Sequence, residues 1–253
     1  MGGRPTLGAV RRRLLELGDP RDAEFLQRFF RTAPGEYGAG DKFLGIRVPV
    51  TRKVAREFRG LSLDDTLALL HDRWHEARLL SLITLVDAYR HGTADERETI
   101  FRAYVKNASH VNNWDLVDSS APQIVGAHLA TRRRGLLDRL ARSENLWERR
   151  IAIIATHHFI RNGEFDDTIR IAKRLLDDEH DLIHKAVGWM LREVGKRDLR
   201  TLETFLEEHA HEMPRTMLRY AIERMTPAQR KRFMAAASPR ASKEREASSS
   251  ARR

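Results

Sequence analysis

The chain contains no cysteine, which excludes disulfides and thiolate-bound metals outright. No stretch approaches the ~20 uninterrupted apolar residues that a membrane-spanning helix needs, so no membrane association is expected. The opening residues, MGGRPTLGAVRRRLLELG, carry no long apolar core of the secretory kind, and a cytoplasmic location is expected. There is no GxxxxGK loop followed by Ser or Thr, and no GxSxG elbow, so phosphate-loop and α/β-hydrolase chemistry have nothing to stand on. His71 with His75, and His180 with His184, have the i,i+4 spacing of a metal pair. In HEARL, however, Leu79 stands where a zinc protease requires histidine, and no third ligand is evident. No metal is expected.

What the sequence does have is charge. Of 253 residues, 32% are charged and 41% hydrophobic, which suits a globular protein with a heavily charged surface. The formal charge is +10. The segment from Ala237 to Arg253 has five basic and two acidic residues, so the remaining 236 residues carry +7. A basic body attracts polyanions and gains affinity by releasing their counterions, although net charge also serves solubility. The segment itself, SPRASKEREASSSARR, is too poor in apolar residues to pack and is expected to be a disordered tail.

The apolar pattern is helical throughout, with no convincing strand alternation. Leu14, Leu15 and Leu17 open an N-terminal helical pair that runs through Phe25, Leu26, Phe29 and Phe30. A Gly- and Pro-rich connection from Ala33 to Pro49 follows. Pro49 suits the first turn of the next helix, and Ser62 suits the N-cap of LDDTLALLHD. From His75 the chain falls into helical pairs whose first helices begin near His75, Val111, Asn145 and Asp181, at intervals of 36, 34 and 36 residues. A final pair spans about Met213 to Met234. Such a period describes stacked helix–turn–helix units that bury their apolar faces against one another. The tetratricopeptide consensus is missing, so the expected fold is all-α: an α-solenoid of HEAT-like repeats with a concave basic face, forming one domain over residues 1–236.

The third pair opens with VNNWDLVDSSAPQIVG, in which Trp114 and Asp118 lie four apart and share a helix face. An aspartate beside a bulky aromatic is unusual on a repeat, because burying an unpaired carboxylate is unfavourable. The next unit offers Arg150 in NLWERRIAII, and the one after it Trp189 in IHKAVGWMLREVG. If corresponding helices of consecutive repeats lie side by side, a carboxylate, a guanidinium and two flat aromatic walls converge. The same residues also fit core tryptophans and an inter-repeat salt bridge. Arg132, Arg133 and Arg134 form a basic run that suits either DNA or a solvated turn.

Four blocks, DKFLGIRVPVTR, NNWDLVD with a proline four residues on, LWERRIAI and HKAVGWMLREVGK, resemble the AlkD-type DNA alkylation repair proteins, in order from about Asp41 to Met225. The resemblance implies a monofunctional glycosylase that releases cationic N3- and N7-alkylated purines from double-stranded DNA without inserting the base into a pocket, in contrast to base-flipping glycosylases. It implies no metal or organic cofactor and no imine-forming role for Lys185, and a monomer is expected. By this resemblance Asp118 matches the catalytic aspartate, Trp114 the aromatic before it, Arg150 the arginine that holds phosphate or orients Asp118, and Trp189 the second aromatic wall. Arg47, Arg52, Arg149, Lys185 and Arg192 are candidate contacts to the DNA backbone. Two departures stand out: Val48, which has no side-chain hydrogen bond for phosphate, and Asn113, where some members carry a further tryptophan, so that a thinner aromatic cradle is expected. Some relatives bind DNA without excision, which keeps a non-catalytic protein for distorted or branched DNA as the alternative.

Overall fold

Many of the helices begin where a polar side chain takes up a backbone N–H that has no helical partner. In the computed structural model, which describes residues 5–236, Thr6 caps α1 (Leu7–Glu16) and Asp19 caps α2 (Pro20–Phe29). Pro49 lies in the first turn of α3 (Val48–Glu57), and Ser62 accepts from the Asp65 N–H at the start of α4 (Leu63–Leu70). α5 (His75–His91) is followed by α6 (Ala94–Lys106), which opens with a reciprocal capping box between Thr93 and Glu96. Next come α7 (Trp114–Asp118), a π-helical turn (Pro122–Gly126) and the single turn α8 (Ala127–Leu129). The remaining helices are α9 (Gly135–Leu140), α10 (Leu146–Ala155), α11 (His157–Arg161), α12 (Asp166–Arg174), α13 (Asp181–Gly195), α14 (Leu199–His209), α15 (Arg215–Ala221) and α16 (Pro227–Ala236).

Every regular element among the described residues is helical, and no helix there is long and apolar enough to cross a membrane. The expected disordered tail, 237–253, lies outside the described residues. Three of the four anticipated repeat starts fall within a residue of a helix start. The one expected near Val111 begins three residues later, because Asn113 is held extended at φ −153° as the N-cap and a 3₁₀ turn (Ala108–His110) precedes it. His71 and His75 do not share a helix: His71 ends α4, and His75 begins α5. Their sequence spacing is therefore not the spacing of a metal pair. His180 spends Nδ1 capping α13, and His184 meets the Asp178 carbonyl.

The chain divides after His128 into two compact units. In the first, α5 is buried on every side over its first two turns and packs against α3, α4, α6 and α7. Val10, Leu14, Ile46, Val54, Leu69, Ala77 and Leu80 form its apolar core. The buried Glu76 carboxylate accepts three successive backbone N–H groups, from Leu44, Gly45 and Ile46, at 2.9, 2.8 and 3.1 Å. This fixes the FLGI segment against α5. Gly45 has φ +86°, and a Cβ there would lie 2.0 Å from the Asp19 carbonyl oxygen, so the segment admits only glycine.

In the second unit α13 is the central helix, packed against α10, α12, α14 and α15. Gly188 is the point of closest approach: a Cβ there would come within 2.4 Å of the Met217 carbonyl oxygen. The glycine of the AVGWM motif is what lets α15 lie against α13. Arg134, from the basic run, turns inward rather than outward. It binds Asp167 and Glu164 at 2.6 Å each and lies 3.9 Å over the Phe159 ring.

Candidate functional site

α7 is only five residues long, too short to hold itself together. Its ends are fixed from outside. Asn113 accepts from the Trp114 N–H at 2.8 Å, and downstream Pro122 has no N–H to offer the Asp118 carbonyl, so the regular helix stops at Asp118 and the chain continues as the π turn. Insertions of this kind are frequent at functional sites. The result is a half-buried Asp118 carboxylate at the end of a short, fixed helix.

Asp118, Ser119 and Gln123 are among the residues that line an open cleft of about 1110 Å³ within the first unit. Arg52 and Arg56 of α3, and Arg59 just beyond it, line the same cleft. Arg52 and Arg56, four apart on one helix face, are exposed and make no ion pair or hydrogen bond through their guanidinium groups among the described residues. Arg59 is tied to Asp87 at 3.0 Å. The lining thus combines a carboxylate with two guanidinium groups open to a polyanion. Behind Asp118, the phenol of Tyr104 is pushed up by burial, against the lowering effect of its hydrogen bond with Ser120, with the charge of Asp118 adding to the rise.

Trp114 is half-buried and belongs to an aromatic cluster that the sequence reading did not find. Phe30 stacks on it at 5.2 Å, and the exposed Phe29 meets it edge-on at 6.0 Å. Phe25 stacks on Phe29 at 6.1 Å, and Arg47 lies 5.4 Å over Phe25 while pairing with Asp22. Asn113, expected to thin this cradle, is no part of it. It is fully buried, donates to Asp41 at 3.1 Å and caps α7. The aromatic surface around Trp114 comes instead from α2, where the signal was the Phe25–Phe29–Phe30 pattern already visible in the sequence.

The other two anticipated site residues lie in the second unit. Arg150 of α10 is 5% exposed, and its Nη1 donates to the Leu182 carbonyl at 2.6 Å. Trp189 of α13 is half-buried. Its Nε1 donates to Glu193 at 3.3 Å, and its ring lies 5.9 Å from that of His157. Burial pushes the His157 imidazole down, outweighing the opposite pull of Glu193. Of the candidate backbone contacts, Arg149 is held by Asp178 at 2.6 Å and by the Ser143 and Glu144 carbonyls, Lys185 by Asp181 at 2.7 Å, and Arg192 by Glu223. Arg52 alone among the five is unpaired.

The sequence profile of a family described as DNA alkylation repair enzyme matches residues 10–225. The chain belongs to that family. The match spans both units and every site residue discussed above. Among solved structures, this DNA alkylation repair family member is similar to a protein titled a predicted DNA alkylation repair enzyme from Enterococcus faecalis, at 16% identity. The alignment covers 83% of this chain and 97% of that one, with a TM-score of 0.64. At that identity the likeness speaks for the helical fold. No match was found among curated proteins. Membership of a DNA alkylation repair family gives this chain a DNA repair role and makes DNA the polyanion.

The two open arginines and the engaged ones lead to different expected outcomes. Arg52→Ala and Arg56→Ala should each lower duplex affinity at low salt and reduce the slope of log affinity against log salt by about 1. Arg149→Ala removes the partner of a buried Asp178 carboxylate, so its main effect should be a lower melting temperature. Salt titrations and thermal melts on the three variants check this. Equal salt slopes for Arg52→Ala and the wild type would remove Arg52 from the interface.

Proposed function

We propose that the protein is a monofunctional DNA glycosylase that acts as a monomer and hydrolyses the N-glycosidic bond of cationic N3- and N7-alkylated purines in double-stranded DNA. The observation that carries this reading is the half-buried Asp118 carboxylate, fixed on a five-residue helix in a cleft whose lining also includes the unpaired Arg52 and Arg56. Arg52 and Arg56 attract the phosphates, and the carboxylate faces the sugar between them.

The chemistry asks little of an acid. An alkylated purine already bears positive charge. As its bond to C1′ breaks, the electron pair goes to the base and neutralises it, and positive charge grows on the sugar ring as an oxocarbenium ion. A carboxylate held in place stabilises that ion more than the ground state, and it accepts the proton released when water adds to C1′. Trp114, backed by Phe29 and Phe30, offers a flat apolar surface for the sugar and excludes bulk water. Arg150 and Trp189 enter the proposal as residues whose loss lowers excision, each tested on its own.

The deciding experiment incubates the purified protein with methylated duplex DNA and measures release of 7-methylguanine and 3-methyladenine. Release supports the proposal. Tight duplex binding without release favours a non-catalytic binder of distorted DNA.

A further inference from the structure

Two residues far from α7 in sequence, Asp41 and His75, meet its first turn inside the first unit. His75 Nε2 lies 2.8 Å from an Asp115 oxygen, and His75 Nδ1 lies 3.3 Å from an Asp41 oxygen. Asp41 also accepts from Arg78 and from Asn113. The His75 ring packs against Phe43 at 4.5 Å and Phe30 at 4.9 Å, those two lie 5.0 Å from each other, and Phe30 in turn stacks on Trp114. His75 therefore reaches α7 by two routes: a polar one through Asp115 and an apolar one through Phe30.

The protonation state follows from the geometry. Both ring nitrogens face carboxylate oxygens, and a neutral imidazole has only one N–H to give. Only the imidazolium serves both partners. With His75 charged, two cations, His75 and Arg78, balance two carboxylates, Asp41 and Asp115, and a buried cluster with no net charge results. Burial alone would push the imidazole down, but the charge and hydrogen bond of Asp115, with those of Asp41, raise it to about 9. Asp41 is held below the ordinary carboxylate range: burial pushes it up, and His75, Arg78 and Asn113 more than compensate. One Asp115 oxygen is buried with no hydrogen-bond partner, which makes the His75 contact the polar anchor of that carboxylate.

We propose that His75, clamped as an imidazolium between Asp41 and Asp115, is a positioning residue that sets the orientation of Trp114 and Asp118. The clamp does for α7 what a longer helix would do for itself. The proposal rests on the glycosylase reading for its kinetic consequence alone. Its structural consequence stands apart from any activity.

The test uses His75→Gln, which keeps one hydrogen bond and loses the charge, and Asp115→Asn, which leaves His75, Arg78 and Asp41 in place. Base release should fall roughly 10-fold or more in the rate constant at saturating DNA, with duplex affinity little changed, because misplacement by about an ångström is enough to slow a reaction that depends on fixed groups. Wild-type activity should decline as pH rises through about 9, the value to which His75 is raised, and His75→Gln should lack that decline. Amide hydrogen exchange at residues 114–118 should rise in both variants while exchange in α13 stays unchanged. If His75→Gln does not fold, Asp115→Asn answers on its own. Unchanged exchange at 114–118 with an unchanged turnover rate and pH profile overturns the proposal. If the wild type releases no base, the glycosylase reading falls, and the exchange measurement together with ¹⁵N titration of the His75 ring decides the clamp separately.

Discussion

Asp118→Asn is expected to reduce base release by on the order of 10²-fold or more while leaving the fold intact. The amide keeps the shape and the hydrogen-bonding capacity of the carboxylate but removes the charge that, in the proposed mechanism, faces the developing oxocarbenium ion, and loss of a preorganised electrostatic partner has effects of this size. Binding to undamaged duplex should stay equal or tighten, since a carboxylate in a cleft that also holds Arg52 and Arg56 repels phosphate. These signs separate a catalytic role from a structural one. If Asp118 were only a stabilising ion-pair partner, melting temperature and base release would fall together and duplex affinity would not rise. Melting temperature, duplex affinity and base release measured on one preparation distinguish the cases. Full base release from a well-folded variant would remove Asp118 from the mechanism.

The second large effect is on stability. Gly45→Ala places a Cβ 2.0 Å from the Asp19 carbonyl oxygen and 2.6 Å from the Ala23 nitrogen, both backbone atoms that cannot swing away. It also forces a side chain onto a residue at φ +86°. Strain at such a position amounts to about 1–3 kcal/mol before the clash is counted. Displacing the segment also disturbs the three N–H groups bound by the buried Glu76 carboxylate, and a buried charge deprived of its donors is strongly destabilising. A loss of at least about 3 kcal/mol lowers the melting temperature by roughly 6–12 °C in a chain of this size. Alanine at Gly60, which also has positive φ but no atom within 4 Å of a Cβ, should cost much less. Thermal melts of the two variants side by side test the argument. A Gly45→Ala protein that melts like the wild type would show that the loop can relax.

The parts of this molecule written locally were legible in its sequence. Ser62 and Pro49 mark helix starts because a cap acts within three residues, and the interval between His75 and Asp181 is a matter of apolar rhythm. The family motifs were legible too, as a resemblance. Long-range partners were not. Arg149 reads in the sequence as an arginine open to phosphate, yet Asp178 holds it from 29 residues away. Arg192 likewise meets Glu223, 31 residues on, in the turn after α15. His75 stands at metal-pair spacing from His71 in the sequence, and spacing alone cannot show that a helix ends between them. Its actual partners lie 34 and 40 residues away. Arg56 stands one helical turn beyond Arg52, so its membership of the same face follows from spacing alone.

The clamp around α7 also has a bearing on how this protein can be altered. A map of tolerance to substitution should not show a single sensitive stretch at residues 114–118. It should show satellites at 41, 75 and 78, positions that touch no substrate and would pass for ordinary interior residues. Because His75 and Arg78 together balance Asp41 and Asp115, single replacements there should be poorly tolerated, while joint replacement of His75 and Asp115 by a matched apolar pair, which leaves Arg78 paired with Asp41, should recover much of the stability. The helix bearing Asp118 can be moved to another scaffold only together with the distant residues that hold it.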